Sequence, residues 1–219
     1  MKNKETSWVF TNNDLKSFIY TYRHVRYNIF KGLHESNFIY KFLLALCMAC
    51  LTGLGAQLKL YLPFTPVPIT GQIVFVLLSG TLLGRYGGLS QAIYLGIGCL
   101  GVPWFAAGMK GGTEVLIGIT GGYLIGFIIA STIIGFFTER YLKARVFKFQ
   151  LSLMLIGIGI IYAFGAIQFS LTMHTDFQKT MILAVIPFIP LDILKAIIAS
   201  IISTVILPKE SYNGEREMH

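Results

Sequence analysis

Charge is scarce in this sequence. Lys, Arg, Asp and Glu make up 13% of its 219 residues, against about 25% in an average soluble domain. Hydrophobic residues make up 54%, and the mean hydropathy is +0.67. The apolar residues come in blocks too long for a small soluble core, so the chain reads as an integral membrane protein. Acids are scarcer than bases, 10 against 18, which leaves a formal charge of +8. In a soluble protein that excess would suggest nucleic acid. Here the bases cluster in connectors, where they set membrane orientation, so no nucleic-acid partner is expected. Cysteine is rarer still, with three residues, and no disulfide framework follows. Cys47 and Cys50 are spaced C-x-x-C inside the first apolar run. With no second Cys or His pair nearby they read as small helix residues and not as a metal or redox site. Cys99 reads the same way. There is no P-loop, no H-E-x-x-H and no Ser/His/Asp grouping. Neither an enzyme, an ATPase motif, a metal nor a cofactor is expected. Residues 1–37 lack an apolar h-region and a small-residue cleavage site, so they do not read as a signal peptide.

What is present is a succession of apolar runs, predicting an all-α polytopic membrane protein with six transmembrane helices. A polar, cytoplasmic tail spans 1–37, and basic residues and aromatics interleaved near 14–34 predict a surface helix on the inner leaflet. The spans are expected at Phe38–Leu60, Ile69–Gly84, Leu89–Gly101, Gly122–Phe137, Leu151–Phe169 and Met181–Leu207. The last is interrupted by Pro187 and Pro190. The membrane domain is thus expected over 38–207 and a cytoplasmic tail over 208–219. Arg85-Tyr86-Gly87-Gly88 reads as a tight charged turn. The glycine-rich connector Val102–Gly121 reads as re-entrant or pocket-lining, since irregular backbone at membrane depth needs protein or water beside it. With the N-terminus inside, 14 of the 18 Lys and Arg fall on the cytoplasmic side, counting Lys41. That asymmetry predicts both termini inside.

Two features carry the functional argument. Pro63-Phe64-Thr65-Pro66-Val67-Pro68 cannot be helix interior, because proline lacks an amide donor and fixes φ. The connector reads as a stiff, extended segment leading through Thr70 to Gln72, either a lid or simply a turn. The other is Asp192 and Lys195, the ionisable pair inside the membrane. At i, i+3 they share a helix face. Asp192 falls in the first turn of a helix expected to start near Pro190, where the dipole favours a carboxylate. A buried ion pair seldom adds net stability over apolar packing, and an intramembrane charge is a functional candidate. The alternative is a pair that merely neutralises itself. If a ligand is bound, Lys195 meets an anion or carbonyl and Asp192 accepts from N–H donors. Tyr94, Trp104, Phe105 and Tyr123 supply walls for a ring. Ala45, Ala49 and Gly53 put small side chains on one face of the first span, for internal packing or for docking another subunit.

Several motifs together resemble the BioY family, the substrate-binding S-components of energy-coupling-factor (ECF) vitamin transporters. They are Pro66-x-Pro68-Ile69-Thr70-x-Gln72, Leu83-Gly84, Tyr94-Leu95, Gly101-x-Pro103-x-Phe105, Gly121-Gly122-Tyr123-x-x-Gly126-Phe127 and Pro187-Phe188-x-Pro190-x-Asp192-x-x-Lys195. The resemblance covers about 38–207. It implies a six-helix subunit of the bacterial plasma membrane that binds biotin at its outer face and works with an ECF transmembrane subunit and two cytoplasmic ATPases. It gives Asp192 and Lys195 the polar groups of biotin, adds Gln72 to the binding candidates, and gives Ala45-x-x-x-Ala49 the docking role. Under it, Pro66, Pro68 and Thr70 belong to a lid over a vitamin pocket. The 1–37 extension, Trp104 and Met109-Lys110-Gly111-Gly112 depart from the family pattern. A lipoate-like compound or a biotin precursor is the alternative ligand, and a non-transporting structural protein the alternative class.

Overall fold

Proline and glycine decide where the apolar runs become helices. The computed structural model describes residues 12–106, 111–211 and 214. Nine helices appear among them: α1 Asn12–Glu35, α2 Phe38–Gln57, α3 Gln72–Leu83, α4 Tyr86–Cys99, α5 Glu114–Ile117, α6 Gly121–Arg140, α7 Phe147–Met173, α8 Phe177–Ala184 and α9 Ile189–Ile206. A helix, α1, occupies the stretch where a surface helix was expected. The rest of the predicted tail, residues 1–11, lies outside the described residues, as do 107–110 in the glycine-rich connector and most of the C-terminal tail.

Four stretches are long and apolar enough to cross a membrane: Phe38–Gln57, Gly121–Arg140, Phe147–Met173 and the broken Phe177–Ile206. α3 and α4 have 12 and 14 residues, or about 18 and 21 Å at the helical rise, short of a ~30 Å hydrocarbon core.

Three expected boundaries are corrected. The first span ends at Gln57, three residues before Leu60. Lys59–Leu60 (β1) instead pairs antiparallel with Ile69–Thr70 (β2), Lys59 opposite Thr70 and Leu60 opposite Ile69. The chain between them is not the extended connector its prolines suggest: it turns at Pro63–Phe64, where the Thr65 amide donates to the Leu62 carbonyl at 3.4 Å, and bends at Pro66–Val67, so it doubles back and closes one small sheet among the described residues. For the same reason the second span starts at Gln72 and not at Ile69. Finally, Gly87 and Gly88 belong to α4. The turn is only Gly84–Arg85, with Gly84 at φ +58° and Glu139 accepting from the Arg85 amide at 3.0 Å. Gly87 is glycine for space: a Cβ there would lie 2.6 Å from the Gly80 Cα.

α7 ends at His174, which adopts the left-handed conformation at φ 50°. Asp176 then caps α8, accepting from the Lys179 amide at 3.3 Å. At the opposite end of the bundle Arg145 is fully buried. Its Nε donates to the Thr138 carbonyl at 3.1 Å and its Nη1 to that of Pro208 at 3.3 Å. A charge this deep is tolerated because backbone dipoles surround it.

The small-residue face of α2 is internal. Ala45 and Ala49 have no exposed surface, and a Cβ on Gly53 would lie 2.9 Å from the Trp104 ring. Beside it, Thr52 accepts from Gln91 of α4 at 3.2 Å. Both side chains thus pack within the chain, and the docking role that the family resemblance attaches to Ala45 and Ala49 stays a proposal. Cys47 and Cys50 point outward from the same helix as free thiols. Ala45→Trp with Ala49→Trp is accordingly expected to abolish the monodisperse peak in size-exclusion chromatography, since two large rings enter a filled interior. A folded double variant that loses only a partner would favour the docking role.

Candidate functional site

The break between α8 and α9 builds the site. Pro187 lies in the 3₁₀ turn Ile186–Phe188, and Pro190 in the first turn of α9. Both lack an amide donor, so neither position can continue the preceding helix. A new helix N-terminus therefore opens inside the apolar stretch, with its dipole toward a carboxylate. Asp192 sits there, 3% exposed. Its Oδ2 accepts from the Tyr162 hydroxyl at 2.6 Å, and its Oδ1 from Lys195 Nζ at 2.7 Å. Lys195 Nζ also donates to the Thr70 carbonyl at 2.7 Å. An ammonium has three donors, and these two bonds leave one for another acceptor.

These groups line a cleft of about 600 Å³, counted with its open mouth. Its other walls are apolar: Val67, Ile73, Val115, Leu124, Phe127 and Phe188 take part. Phe105 fits because Gly98 leaves room: a Cβ there would lie 2.1 Å from its ring. Gly165 gives the same room to the Tyr123 ring, at 2.3 Å. The Tyr123 hydroxyl donates to the Ala184 carbonyl at 2.5 Å, so the ring is held at the cleft wall. A mostly apolar cleft with a few convergent polar groups is the common form of a small-molecule site.

One rim is the proline connector. Thr65 Oγ1 donates to the Leu183 carbonyl at 2.6 Å, and Lys195 holds Thr70. From the connector's other side, Lys59 Nζ and the Tyr61 hydroxyl donate to the Ala106 carbonyl at 3.3 and 3.2 Å. Gln168 of α7 fixes the segment around α5 by donating to the Leu116 and Gly118 carbonyls at 2.6 and 2.8 Å.

Of the residues singled out in the sequence, Asp192, Lys195, Phe105, Tyr123, Gln72, Pro68 and Thr70 line this one cleft. Tyr94 and Trp104 do not; they stand behind it. Their rings are 5.1 Å apart, and Tyr94 meets Phe105 edge-on at 5.4 Å. Trp104 Nε1 donates to the Tyr94 carbonyl at 3.1 Å. Gln72 is tied into that group, with its Nε2 donating to the Tyr94 hydroxyl at 2.6 Å. Pro66 is exposed and off the cleft. Lys110 lies outside the described residues. The sequence reading missed Tyr162, although a hydroxyl in the middle of a long apolar run was a signal. It also missed the apolar lining of α6, which looks like any other buried helix face.

The model of the BioY family matches residues 28–211. A probable biotin transporter BioY from Methanothermobacter thermautotrophicus is 47% identical over 146 residues, covering 63% of this chain and 92% of its own. The biotin transporter BioY of Thermotoga maritima is 41% identical over 143 residues, 65% of this chain and 82% of its own. Among solved structures, the S-component for biotin from an ECF-type ABC transporter matches with a TM-score of 0.69 and 28% identity. That match covers 76% of this chain and 89% of the other.

Proposed function

Because the chain belongs to the BioY family, we propose that it takes up biotin as the substrate-binding membrane subunit of an ECF-type transporter. The observation that carries this reading at the level of the site is the Asp192–Lys195 pair, set in an otherwise apolar cleft with Tyr162 and the Thr70 carbonyl as its partners. Biotin needs both kinds of surface. Its fused rings and alkyl chain suit Phe105, Tyr123 and Phe127. Asp192 accepts from N–H groups, as the ureido ring provides, and Lys195 meets a carboxylate or carbonyl oxygen. The connector with Pro68 and Thr70 acts as the lid, and Tyr94 and Trp104 support the Phe105 wall from behind.

In this reading the chain crosses the plasma membrane six times. α3 and α4 are two short crossings, the cleft faces outward, and both termini lie in the cytoplasm, as the distribution of Lys and Arg favours. The chain hydrolyses no nucleotide itself. Energy comes from an ECF transmembrane subunit and two cytoplasmic ATPases, with the helix that carries Ala45 and Ala49 as the docking element.

The test is a calorimetric titration of the purified chain with biotin, repeated with lipoate and a biotin precursor as competitors. Saturable binding by biotin in preference to both is expected, and a precursor that displaces biotin would overturn the ligand assignment. Tyr162→Phe removes one hydrogen bond to a carboxylate, worth about 1.5–3 kcal/mol. It is expected to weaken biotin binding about tenfold or more. An unchanged affinity would remove Tyr162 from the site.

A further inference from the structure

α1 is the element that ligand binding leaves without a role. Most of it lies ahead of residue 28, where the family match begins. Three contacts fix how it runs. Only Ser36 and Asn37 separate it from Phe38, the first residue of α2. Phe30 is 6% exposed and shares a small cavity with Leu82, Leu83, Gly84 and Arg85 at the α3–α4 turn. The Tyr22 hydroxyl and Arg26 Nη1 both donate to the Val205 carbonyl, the latter at 2.7 Å. Val205 is in the last turn of α9, where carbonyls lack intrahelical partners and a cation is favoured. The start of α2, the α3–α4 turn and the end of α9 all lie at the end of the bundle away from the cleft. α1 therefore runs across that end of the bundle and continues no span.

Its sides differ. Tyr22, Arg26 and Phe30, at i, i+4 and i+8, face the protein. Next to them Phe18, Val25 and Ile29 form a stripe at i, i+7 and i+11, exposed by 70, 49 and 61%. Lys16, Arg23 and Lys31 occupy other positions around the helix. Residues 16–31 contain four Lys and Arg and no acid. The apolar stripe is continuous in the chain with the apolar start of α2, where Phe38, Ile39 and Tyr40 are exposed by 63, 73 and 53%. The two acids of α1, Asp14 and Glu35, lie at its ends, and Glu35 stands 4.0 Å from Lys31 in an exposed pair. An uncovered apolar stripe at that level, beside a wholly basic stretch over 16–31, matches an anionic bilayer surface.

We propose that α1 is an interfacial helix that binds anionic phospholipid, with Phe18, Val25 and Ile29 in the acyl boundary and Lys16, Arg23 and Lys31 meeting headgroup phosphates. Through Tyr22 and Arg26 it fastens the inner end of α9, the helix that carries Asp192 and Lys195, to that surface.

The experiment is amide hydrogen exchange over residues 16–31 in the full chain. The chain is reconstituted in nanodiscs of phosphatidylcholine alone or with phosphatidylglycerol added. Exchange is expected to be about tenfold slower in the anionic discs, and the slowing should vanish at high salt. Lys16→Gln with Arg23→Gln and Lys31→Gln should abolish the lipid dependence. Phe18→Ser with Val25→Ser and Ile29→Ser should speed exchange in both discs. Amides of α6 in the same samples report whether each variant is folded, and the wild-type lipid and salt comparison needs no variant. Equal exchange in both lipids would overturn the proposal, leaving α1 held by protein contacts alone. Protection that appears only when a soluble protein is added would overturn it as well.

Discussion

Lys195→Met is expected to weaken biotin binding by about a hundredfold, the equivalent of losing one charged hydrogen bond of about 3 kcal/mol. Met keeps most of the length and volume of the side chain, so the apolar contacts survive. What goes is the sole cation among the described residues that line the cleft. The ligand loses its ammonium partner, and the Thr70 carbonyl loses the donor that holds the connector at 2.7 Å. Titration of the purified variant reads the first loss directly. Proteolysis or exchange across residues 59–70 reads the second. Wild-type affinity in Lys195→Met would place the ligand elsewhere in the protein.

The second large effect separates recognition from stability. Lys195→Met alone leaves Asp192 buried without its counter-ion, and breaking such a pair costs about 3–5 kcal/mol. At roughly 2–4 °C per kcal/mol for a chain of this size, thermal unfolding in detergent should come about 10 °C earlier. Asp192→Leu with Lys195→Met, with Tyr162→Phe added so that its hydroxyl is not left unpaired, removes the whole network. That variant is expected to regain the wild-type unfolding temperature, because an apolar replacement of a buried pair is usually neutral or stabilising. It should still bind no biotin. A combined variant as unstable as the single one would mean that the pair is kept for the fold.

These expectations rest on the part of the molecule that was plainest in the sequence. An Asp and a Lys three residues apart in a proline-broken apolar stretch are costly in a bilayer, and cost of that kind is visible without coordinates. The helices at 121–140 and 147–173 were legible for the related reason that long apolar runs have few other uses. Three things were not. Gly87 and Gly88 look like a turn in sequence, yet α4 carries them because α3 closes on Gly87 and α6 on Gly88. Lys59–Leu60 reads as the end of a span, and only the partner strand ten residues on takes it out of the helix. The Ala45–Ala49 face could pack inward or outward by spacing alone. It packs inward, and further along the same helix Trp104 closes on Gly53 and Gln91 on Thr52, neither of them near it in the chain. Tyr94 and Trp104 fell behind the cleft because their polar groups bond each other and Gln72. An aromatic identity says nothing about which partner claims its hydroxyl or indole N–H.

The bond from Lys195 to the Thr70 carbonyl has a kinetic consequence. The same ammonium holds the connector at the rim of the cleft and keeps a third donor for an incoming acceptor. A ligand that takes that donor, as proposed for biotin, meets a side chain already fixed by Asp192 and Thr70, so little ordering is left to do on binding. The observed association rate should then rise linearly with ligand concentration, without the plateau that a slow opening step would impose. Residence time would be set by the strength of the contacts, and weakening the Thr70 bond should shorten it by loosening the ammonium.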